Sequence, residues 1–355
     1  YSKPENFARY GSAEKYYTDS IANIFNTYPY DGSLFERLQW ENSSSYIDLY
    51  IFENRYPRTN GYINFCYGGW GSRTGSKVGG YGLPASKEYI SIQGGPGTGG
   101  GPQTQGANIW SPTDNRESNL ELNPVEGTSV EFWLKKDAWD PTDETEKEVI
   151  FDLWNNELSS SAAYGRLRIE LTASGHATAG ANPFLITLMS GTTGFQMQPI
   201  GSTAITTASV GDGNWHHYAF SFKSASAGVA ARLYVDGELN TDTTVGSAGV
   251  EKVSGSMLAY LGALRTTVSG NAYDGVNMTG SGKLSASLDE FRYWKTQRTS
   301  KDIGRYWFTQ VGGGTNTDVT NTNLGVYYKF NEGITGNSSI DATVLDFSGR
   351  VTNGS

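Results

Sequence analysis

The sequence GNWHHYAFSF at residues 213–222, followed by RLYVDGEL at residues 232–239, decides the fold. In both segments side chains of different character alternate from one residue to the next, which is the period of a β-strand. Asp236-Gly237 directly follows the apolar part of the second segment, and this dipeptide accepts the positive φ angles of a two-residue hairpin turn. The segments therefore predict two strands, the second of which turns back onto Glu238 and Leu239.

Three further segments have the same strand-like pattern: SVEFWLK at 129–135, LDEFRYW at 288–294 and LGVYYKFNEG at 324–333. Taken in this order with the hairpin, they resemble the laminin G-like domains of the concanavalin A-like lectin and glucanase superfamily. The resemblance covers residues 86–355. It implies a mainly β fold, a jelly-roll sandwich of two antiparallel sheets, which serves more often as a binding module than as a glycosidase.

Composition narrows the class of partner. Of the 355 residues, 36 are Asp or Glu and 27 are Lys or Arg, so the formal net charge is −9. Because phosphate backbones and anionic lipids are bound by clustered cations, this balance argues against nucleic acid and against a membrane surface. No apolar run approaches the roughly 20 residues that span a bilayer. Cys66 is the only cysteine, which excludes an intrachain disulfide.

The chain begins YSKPE, without an initiator Met or a signal-peptide pattern. We therefore expect it to be an interior piece of a longer or processed polypeptide.

Three regions differ in composition. Residues 1–66 carry aromatic and aliphatic residues at helical spacing and predict a helical N-terminal docking segment, with an ordinary helical subdomain as the alternative. Residues 67–106 are rich in Gly and predict a linker or long loop, with an edge strand of the sandwich at 88–92. Residues 107–355 form the predicted laminin G-like sandwich, and Ser300 is the predicted N-cap of a short helix within it. Its strands are predicted at 129–135, 148–154, 166–172, 184–189, 215–222, 231–235, 257–262, 287–294 and 324–330.

Carboxylates suited to glycoside hydrolysis are missing from the sequence. That reaction needs two carboxylates roughly 5 to 10 Å apart, and the glucanases of the superfamily carry them on one strand as Glu-x-Asp-x-Glu or Glu-x-Asp-x-x-Glu. Neither string occurs here. Glu144, Glu146 and Glu148 belong to an acidic, loop-like stretch, and the adjacent Asp289 and Glu290 would point to opposite faces of a strand. We therefore expect no enzymatic activity, with a polysaccharide hydrolase as a remote alternative.

The histidines do not form a catalytic or metal-binding pattern. His216 and His217 are adjacent on a predicted strand and face opposite sides, so they cannot both bind one metal, and His176 lies far off in the sequence. We expect one of the pair to pack under the sheet and the other to lie on a polar outer face. Neither a zinc site nor a Ser-His-Asp triad is expected.

A calcium ion is the cofactor that the resemblance implies. The sequence DFSGRVTNG at 346–354 is similar to the Asp-x-Ser-Gly-x-x-x-Asn-Gly turn of the laminin G-like family. By this resemblance Asp346 and Asn353 would supply oxygen ligands to Ca²⁺, and Asp289 a third. The alternative is an Asx turn in which the Asp side chain bonds its own backbone.

Aromatic residues in loops are the candidates for ligand binding, because sugars on such scaffolds stack on rim aromatics. We assign this role to Trp70, Tyr81, Trp110, Trp139 and Tyr273. Four tryptophans in predicted strands are assigned instead to the core: Trp133, Trp154, Trp215 and Trp294.

The N-terminal phrases FARYGSAEKYY at 7–17, TYPYDG at 27–32 and RYPRTNG at 55–61 resemble large laminin G-containing structural proteins of marine tailed bacteriophages. This resemblance implies a protein of the virion surface, whose partners are neighbouring subunits and host cell-surface glycans. The alternative is a secreted or surface-anchored, extracellular bacterial adhesin with laminin G repeats.

Overall fold

The computed structural model describes residues 63–65, 90–93, 119–139, 147–155, 157–173, 182–254, 257–265, 282–311, 323–331 and 344–348. The predicted helices of residues 1–66 lie outside these ranges. Within them no helix has the length and apolarity needed to cross a bilayer. In chain order the elements are β1 (Ile63–Asn64), β2 (Ile90–Gln93), β3 (Thr128–Lys135), β4 (Lys147–Trp154), β5 (Gly165–Thr172), β6 (Phe184–Ser190), β7 (Thr193–Pro199), α1 (Thr207–Val210), β8 (Trp215–Ala225), β9 (Gly228–Val235), β10 (Glu238–Val245), β11 (Leu258–Leu261), β12 (Ser287–Trp294), α2 (Ser300–Tyr306) and β13 (Leu324–Tyr328).

The strands form two antiparallel sheets. The seven-stranded sheet has the order β1-β12-β3-β8-β9-β10, and β13 pairs with the half of β12 that β1 leaves free. The six-stranded sheet has the order β2-β11-β4-β5-β6-β7. The predicted mainly β sandwich of two antiparallel sheets is thereby confirmed.

The core lies between the sheets, because alternate residues of each strand point to the opposite layer. Phe132 of β3 stacks on Phe220 of β8 with ring centroids 6.3 Å apart. Phe184 of β6 approaches Phe220 from the other sheet at 5.2 Å. All three side chains are fully buried. Aromatic contacts across the two layers thus hold the sheets together.

The hairpin predicted at Asp236-Gly237 is present. Both residues have positive φ, 49° and 82°, and Val235 pairs with Glu238 across the turn. The turn lies beneath α2, since a Cβ on Gly237 would come within 2.2 Å of the Trp307 ring. This position therefore requires glycine both for its backbone angle and for space.

Replacing Gly237 with alanine should destabilise the protein more than the same change at Gly249, which has a similar φ of 81° and no atom within 4 Å of a new Cβ. Both variants carry the backbone strain, but only the first displaces the Trp307 ring, a further loss of about 1 to 3 kcal/mol. Chemical denaturation of the two variants measures the difference. Equal losses would show that the contact between the turn and Trp307 is absent.

The strand tryptophans divide into two groups. Trp133 and Trp294 are buried, at 2% and 1% exposure. Trp154 and Trp215 are only partly buried, so their assignment to the core is wrong. Trp154 has the same strand phase as Asp152 and therefore lies on the outer face of its sheet. Trp215 likewise lies on the outer face of the seven-stranded sheet, since Tyr218 and Phe220 of the same strand point into the core.

The sandwich also reaches upstream of residue 107. β1 pairs with β12, and β2 pairs with β11 at the edge of the six-stranded sheet. Strand β1 therefore comes from the stretch interpreted as the helical segment, whereas β2 overlaps the edge strand predicted at 88–92. The helix α2 begins one residue earlier than predicted, since Thr299 is its N-cap and forms a capping box with Asp302.

Candidate ligand-binding surface

The outer face of the six-stranded sheet carries charged side chains at alternate strand positions. On β5, Leu167 and Ile169 belong to the core, which places Arg166, Arg168 and Glu170 on the opposite face. Strand pairing brings Asp152 of β4 directly beside Arg168, with Trp154 beside Arg166. We call this set of outward residues the charged face. The ordinary two-residue period of the strands produces it.

A bidentate ion pair lies at the centre of the charged face. Arg166 donates from Nε and Nη2 to the two carboxylate oxygens of Asp152, at 2.8 and 2.7 Å. Burial disfavours the charged guanidinium, but the Asp152 carboxylate outweighs it and raises the pKa of Arg166. Asp152 Oδ2 also accepts a hydrogen bond of 2.8 Å from the backbone N–H of Arg265. The pair thereby fixes the start of the segment that follows β11.

A second group of charges lies beside the first. The carboxylate of Glu170 is 2.7 Å from Arg168 Nε and 3.8 Å from Lys147 Nζ. Burial lowers the pKa of Lys147 to about 8; Glu170 opposes this shift and Arg168 adds to it. Asp152 and Glu170 are thus both engaged by cations, which makes them poor candidates for the free acid and base of a hydrolase.

Two partly exposed aromatic rings border the charged face. Tyr260 of β11 pairs with Asp152, and Trp154 is two residues along the same strand as Asp152, so the rings share one face. The guanidinium carbon of Arg265 lies 5.3 Å from the Tyr260 ring centroid and 5.8 Å from that of Trp154. Trp154 Nε1 donates to the Glu157 carbonyl at 2.8 Å, which fixes the indole. We call Trp154, Tyr260 and Arg265 the aromatic platform.

The aromatic platform combines two flat apolar surfaces with a guanidinium. Pyranose rings present C–H faces that stack on aromatic rings and hydroxyl or carboxylate groups that accept from guanidinium donors. None of these three residues is among the ligand-binding residues predicted from the sequence. The alternation in KEVIFDLW at 147–154 placed Trp154 with Asp152 and could have identified the indole, but no local signal connects it to Arg265.

Of the loop aromatics predicted to bind ligand, only Trp139 lies in the described ranges; Trp70, Tyr81, Trp110 and Tyr273 lie outside them. Trp139 follows β3 and packs partly buried against the core. Lys136 Nζ lies 4.5 Å from its ring centroid and also makes a buried ion pair with Glu148 at 2.9 Å. The structure therefore places Trp139 at one end of the sandwich, where Lys136 contacts its ring.

The two adjacent histidines have different surroundings. His216 lies between two aspartates, with Nδ1 2.9 Å from Asp236 Oδ2 and Nε2 3.2 Å from Asp212 Oδ2. The hydrogen bond to Asp236 raises the pKa of His216, against the effect of burial. His217 is buried beneath α2, against Trp133 and Trp307. The buried imidazole is thus on the outer face of its sheet, and the more exposed one is at the end of the inner face.

The predicted calcium ligands are only partly described. Asp346 Oδ1 accepts from the N–H groups of Tyr327 and Ser348, at 3.0 and 2.9 Å, and Oδ2 accepts from the Ser348 hydroxyl at 2.8 Å. These bonds form the Asx turn that was the alternative interpretation. Asp289 Oδ1 accepts from the backbone N–H of Glu290 at 2.7 Å. Asn353 lies outside the described residues, among which no three His, Cys, Asp or Glu side chains are grouped as a metal site would require. Ca²⁺ binding stays a prediction, which thermal unfolding with and without a chelator tests.

The expectation that Asp289 and Glu290 point to opposite faces of a strand does not take account of a β-bulge in β12. Between Asp289 and Arg292 two residues of β12 oppose one residue of β3, and Glu290 has a φ of 50°. Because of the bulge, simple alternation does not give the direction of the Glu290 side chain. That side chain is ion-paired with Arg292 at 3.0 Å.

These features define a β-sandwich whose six-stranded sheet carries buried ion pairs and two partly exposed aromatic rings on its outer face. A family model for laminin G-type domains of the concanavalin A-like lectin/glucanases superfamily matches residues 112–304, more than half of the chain. The chain therefore belongs to this family. No curated protein matches the sequence.

Several solved structures are similar to this chain at low sequence identity. A Bacteroides ovatus protein described as carbohydrate binding is 14% identical, with a TM-score of 0.38, over 77% of this chain and 58% of its own. Domains LG4-5 of the mouse laminin α1 chain are 12% identical, with a TM-score of 0.33, over 64% of this chain and 44% of their own. Domain 4 of a Geobacillus stearothermophilus arabinanase, in complex with arabinotriose, is 16% identical, with a TM-score of 0.29, over 52% of this chain and 67% of its own. The chain spans less than two thirds of the first two structures.

Proposed function

We propose that this chain is a non-catalytic binding module that recognises glycans through the aromatic platform. The observation that supports the proposal most directly is the position of Arg265 over two partly exposed rings, Trp154 and Tyr260. Such a surface offers a sugar a stacking face and hydrogen-bond donors side by side. Membership in a lectin-like family is consistent with this use, although fold by itself does not assign function.

The hydrogen bonds that hold the base of Arg265 support the same proposal. The backbone N–H of Arg265 donates a hydrogen bond to Asp152, and the Asp152 carboxylate is itself held by Arg166. A side chain held at its base loses less conformational freedom when it meets a ligand. A single sugar ring binds weakly to a site of this size. Several copies of the module on one particle would raise the overall affinity through avidity.

Replacing Trp154 or Tyr260 with alanine should weaken glycan binding at least about tenfold, since a lost stacking contact of ~1.4 kcal/mol corresponds to that factor. The test is a glycan array with the full chain, followed by titration of the strongest ligand against each variant. Trp215→Ala is the matched control, because this indole is also partly buried but lies on the other sheet.

The control should bind as the wild type does. If the Trp154→Ala and Tyr260→Ala variants fold and keep the wild-type affinity, the aromatic platform is not the binding surface. If no array glycan binds, neighbouring protein subunits become the favoured partners.

The module is proposed to lack hydrolase activity, because the carboxylates on the charged face are engaged by Arg166, Arg168 and Lys147. A reducing-sugar assay on the glycans that bind should detect no release above background. Release that Asp152→Asn or Glu170→Gln abolishes would instead support the remote alternative of a polysaccharide hydrolase.

For the biological setting we propose the surface of a virion, with neighbouring virion subunits and host cell-surface glycans as partners. The support is the resemblance of the N-terminal phrases at 7–17, 27–32 and 55–61 to phage structural proteins. Immunogold labelling of intact particles tests the location. A chain lacking residues 1–62 retains β1 and should fail to enter particles if the N-terminal segment is the anchor. Labelling of a bacterial cell surface would favour the extracellular adhesin.

A further inference from the structure

Three buried polar side chains face a common space beneath α2, on the outer face of the seven-stranded sheet. Glu131 of β3, His217 of β8 and Arg292 of β12 line it, and each of the three residues is 1% exposed. The ring of Trp307, just after α2, covers the His217 side at a centroid distance of 6.0 Å. We call this enclosed set the buried chamber. Charged residues are almost never buried to this extent unless other groups compensate them.

The atoms facing the buried chamber are too far apart to satisfy one another. Glu131 Oε2 is 3.5 Å from Arg292 Nη1 and 3.9 Å from His217 Nε2. Among the described residues none of these three atoms makes a hydrogen bond. The other oxygen, Oε1, accepts from Arg298 Nε at 3.1 Å. One side of the carboxylate is therefore satisfied, and the other faces two donors beyond bonding distance.

The charge state of each group is set by its neighbours. Burial favours the protonated acid, but Arg298 and Arg292 outweigh it and lower the pKa of Glu131, so the carboxylate is ionised. Burial lowers the pKa of His217 to about 4, so the imidazole is neutral near pH 7. The adjacent carboxylate favours the tautomer with its proton on Nε2. The chamber then presents two N–H donors and one carboxylate acceptor.

Two arginines and two glutamates of opposite charge surround the buried chamber. Arg292 is ion-paired with Glu290 at 3.0 Å, and Arg298 with Glu131 at 3.1 Å. Asp236, which also acts on His217, is bound to His216. An ion added to these paired charges would remain uncompensated in a low-dielectric site. A neutral molecule with both donors and acceptors meets no such penalty.

We propose that the buried chamber binds one internal water molecule, which accepts hydrogen bonds from His217 Nε2–H and Arg292 Nη1–H and donates one to Glu131 Oε2. Three bonds to otherwise unsatisfied buried groups are the usual coordination of an internal water. The water joins β3, β8 and β12 on the face where α2 docks. The water supplies the hydrogen bonds that Glu131 Oε2 cannot make directly with Arg292 Nη1 at 3.5 Å or with His217 Nε2 at 3.9 Å.

High-resolution crystallography of the full chain tests the site. We expect a density peak within hydrogen-bond distance of all three atoms, present in wild type and in His216→Phe but lost in His217→Phe. His216→Phe is the matched control because it removes the neighbouring imidazole, which points to the other face. Direct contact between Arg292 Nη1 and Glu131 Oε2, with no density between them, would overturn the proposal.

A bromide soak separates water from an anion, because bromide scatters anomalously and water does not. An anomalous peak in the buried chamber would reject water in favour of an anion. In solution, nitrogen-15 spectra should show His217 neutral and protonated on Nε2, with a magnetisation transfer from a long-lived water. A His217 protonated on Nδ1, or one without that transfer, would count against the site.

Discussion

Replacing Asp152 with alanine should lower the free energy of unfolding by about 3 to 5 kcal/mol, the largest effect that we expect from a single change. The substitution leaves the guanidinium of Arg166 buried without its carboxylate; the two side chains are 0% and 2% exposed. It also removes the acceptor of the Arg265 N–H. Urea or guanidinium denaturation, read as a shift in the midpoint at constant slope, measures the loss.

The matched control is Asp242→Ala, which breaks an exposed pair of the same chemistry. Arg232 Nε and Asp242 Oδ2 are 2.9 Å apart, but their side chains are 31% and 47% exposed. Solvent screens such a pair, so its removal should change stability by no more than about 1 kcal/mol. The double variant Asp152→Ala with Arg166→Met should recover much of the loss, because no charge is left buried. Similar losses for Asp152→Ala and Asp242→Ala would contradict the burial of the first pair.

Acidification from pH 6.5 towards pH 4 should destabilise the protein through His217. In the unfolded chain histidine takes up a proton near pH 6.5, whereas burial lowers the pKa of folded His217 to about 4. Between these values the unfolded state binds more protons, so stability rises with pH and is lost as the pH falls. A gap of this size corresponds to about 3 kcal/mol at the acid end. His217→Phe should remove this part of the acid sensitivity.

His216 should act with the opposite sign. Its hydrogen bond to Asp236 raises its pKa in the folded state, so its contribution is present in full below pH 6.5 and is lost as the pH rises through the folded value. Measuring the free energy of unfolding of His216→Phe and His217→Phe at a series of pH values separates the contributions of the two histidines from those of the carboxylates. An NMR titration in which His217 changes charge near its ordinary pKa would contradict the prediction.

Strand positions were predictable where short runs of apolar and aromatic residues stand between polar turns. The segments 129–135, 215–222 and 287–294 were predicted as strands, and each lies within a strand of the structure. The edge strand β7 was not predicted, and of the edge strand β10 only Glu238 and Leu239 were, as the return of the hairpin. β10 is largely exposed, so it has no apolar alternation, and β7 contains Gly194, Pro199 and a bulge at Met197, whose φ is 47°. Edge strands need no apolar face, which is why periodicity misses them.

The candidate site was less accessible to sequence reasoning. Trp154 was assigned to the core because tryptophan in a strand is usually buried, although Asp152 two residues earlier indicates the outer face. Arg265 reaches Trp154 only through the pairing of β11 with β4, strands that are distant in the sequence. Non-local pairing of this kind leaves no local signal. The bulge at Glu290 likewise leaves no local signal in the sequence, because no glycine marks its positive φ.

The first two strands give the N-terminal side of the chain a mechanical connection to both layers. β1 joins the seven-stranded sheet at β12, and β2 joins the six-stranded sheet at β11. A tensile force applied upstream would therefore load the two layers in turn. In such a linkage the two residues of β1 would give way before the four of β2. Release of β1 alone would leave intact the six-stranded sheet, which carries the aromatic platform.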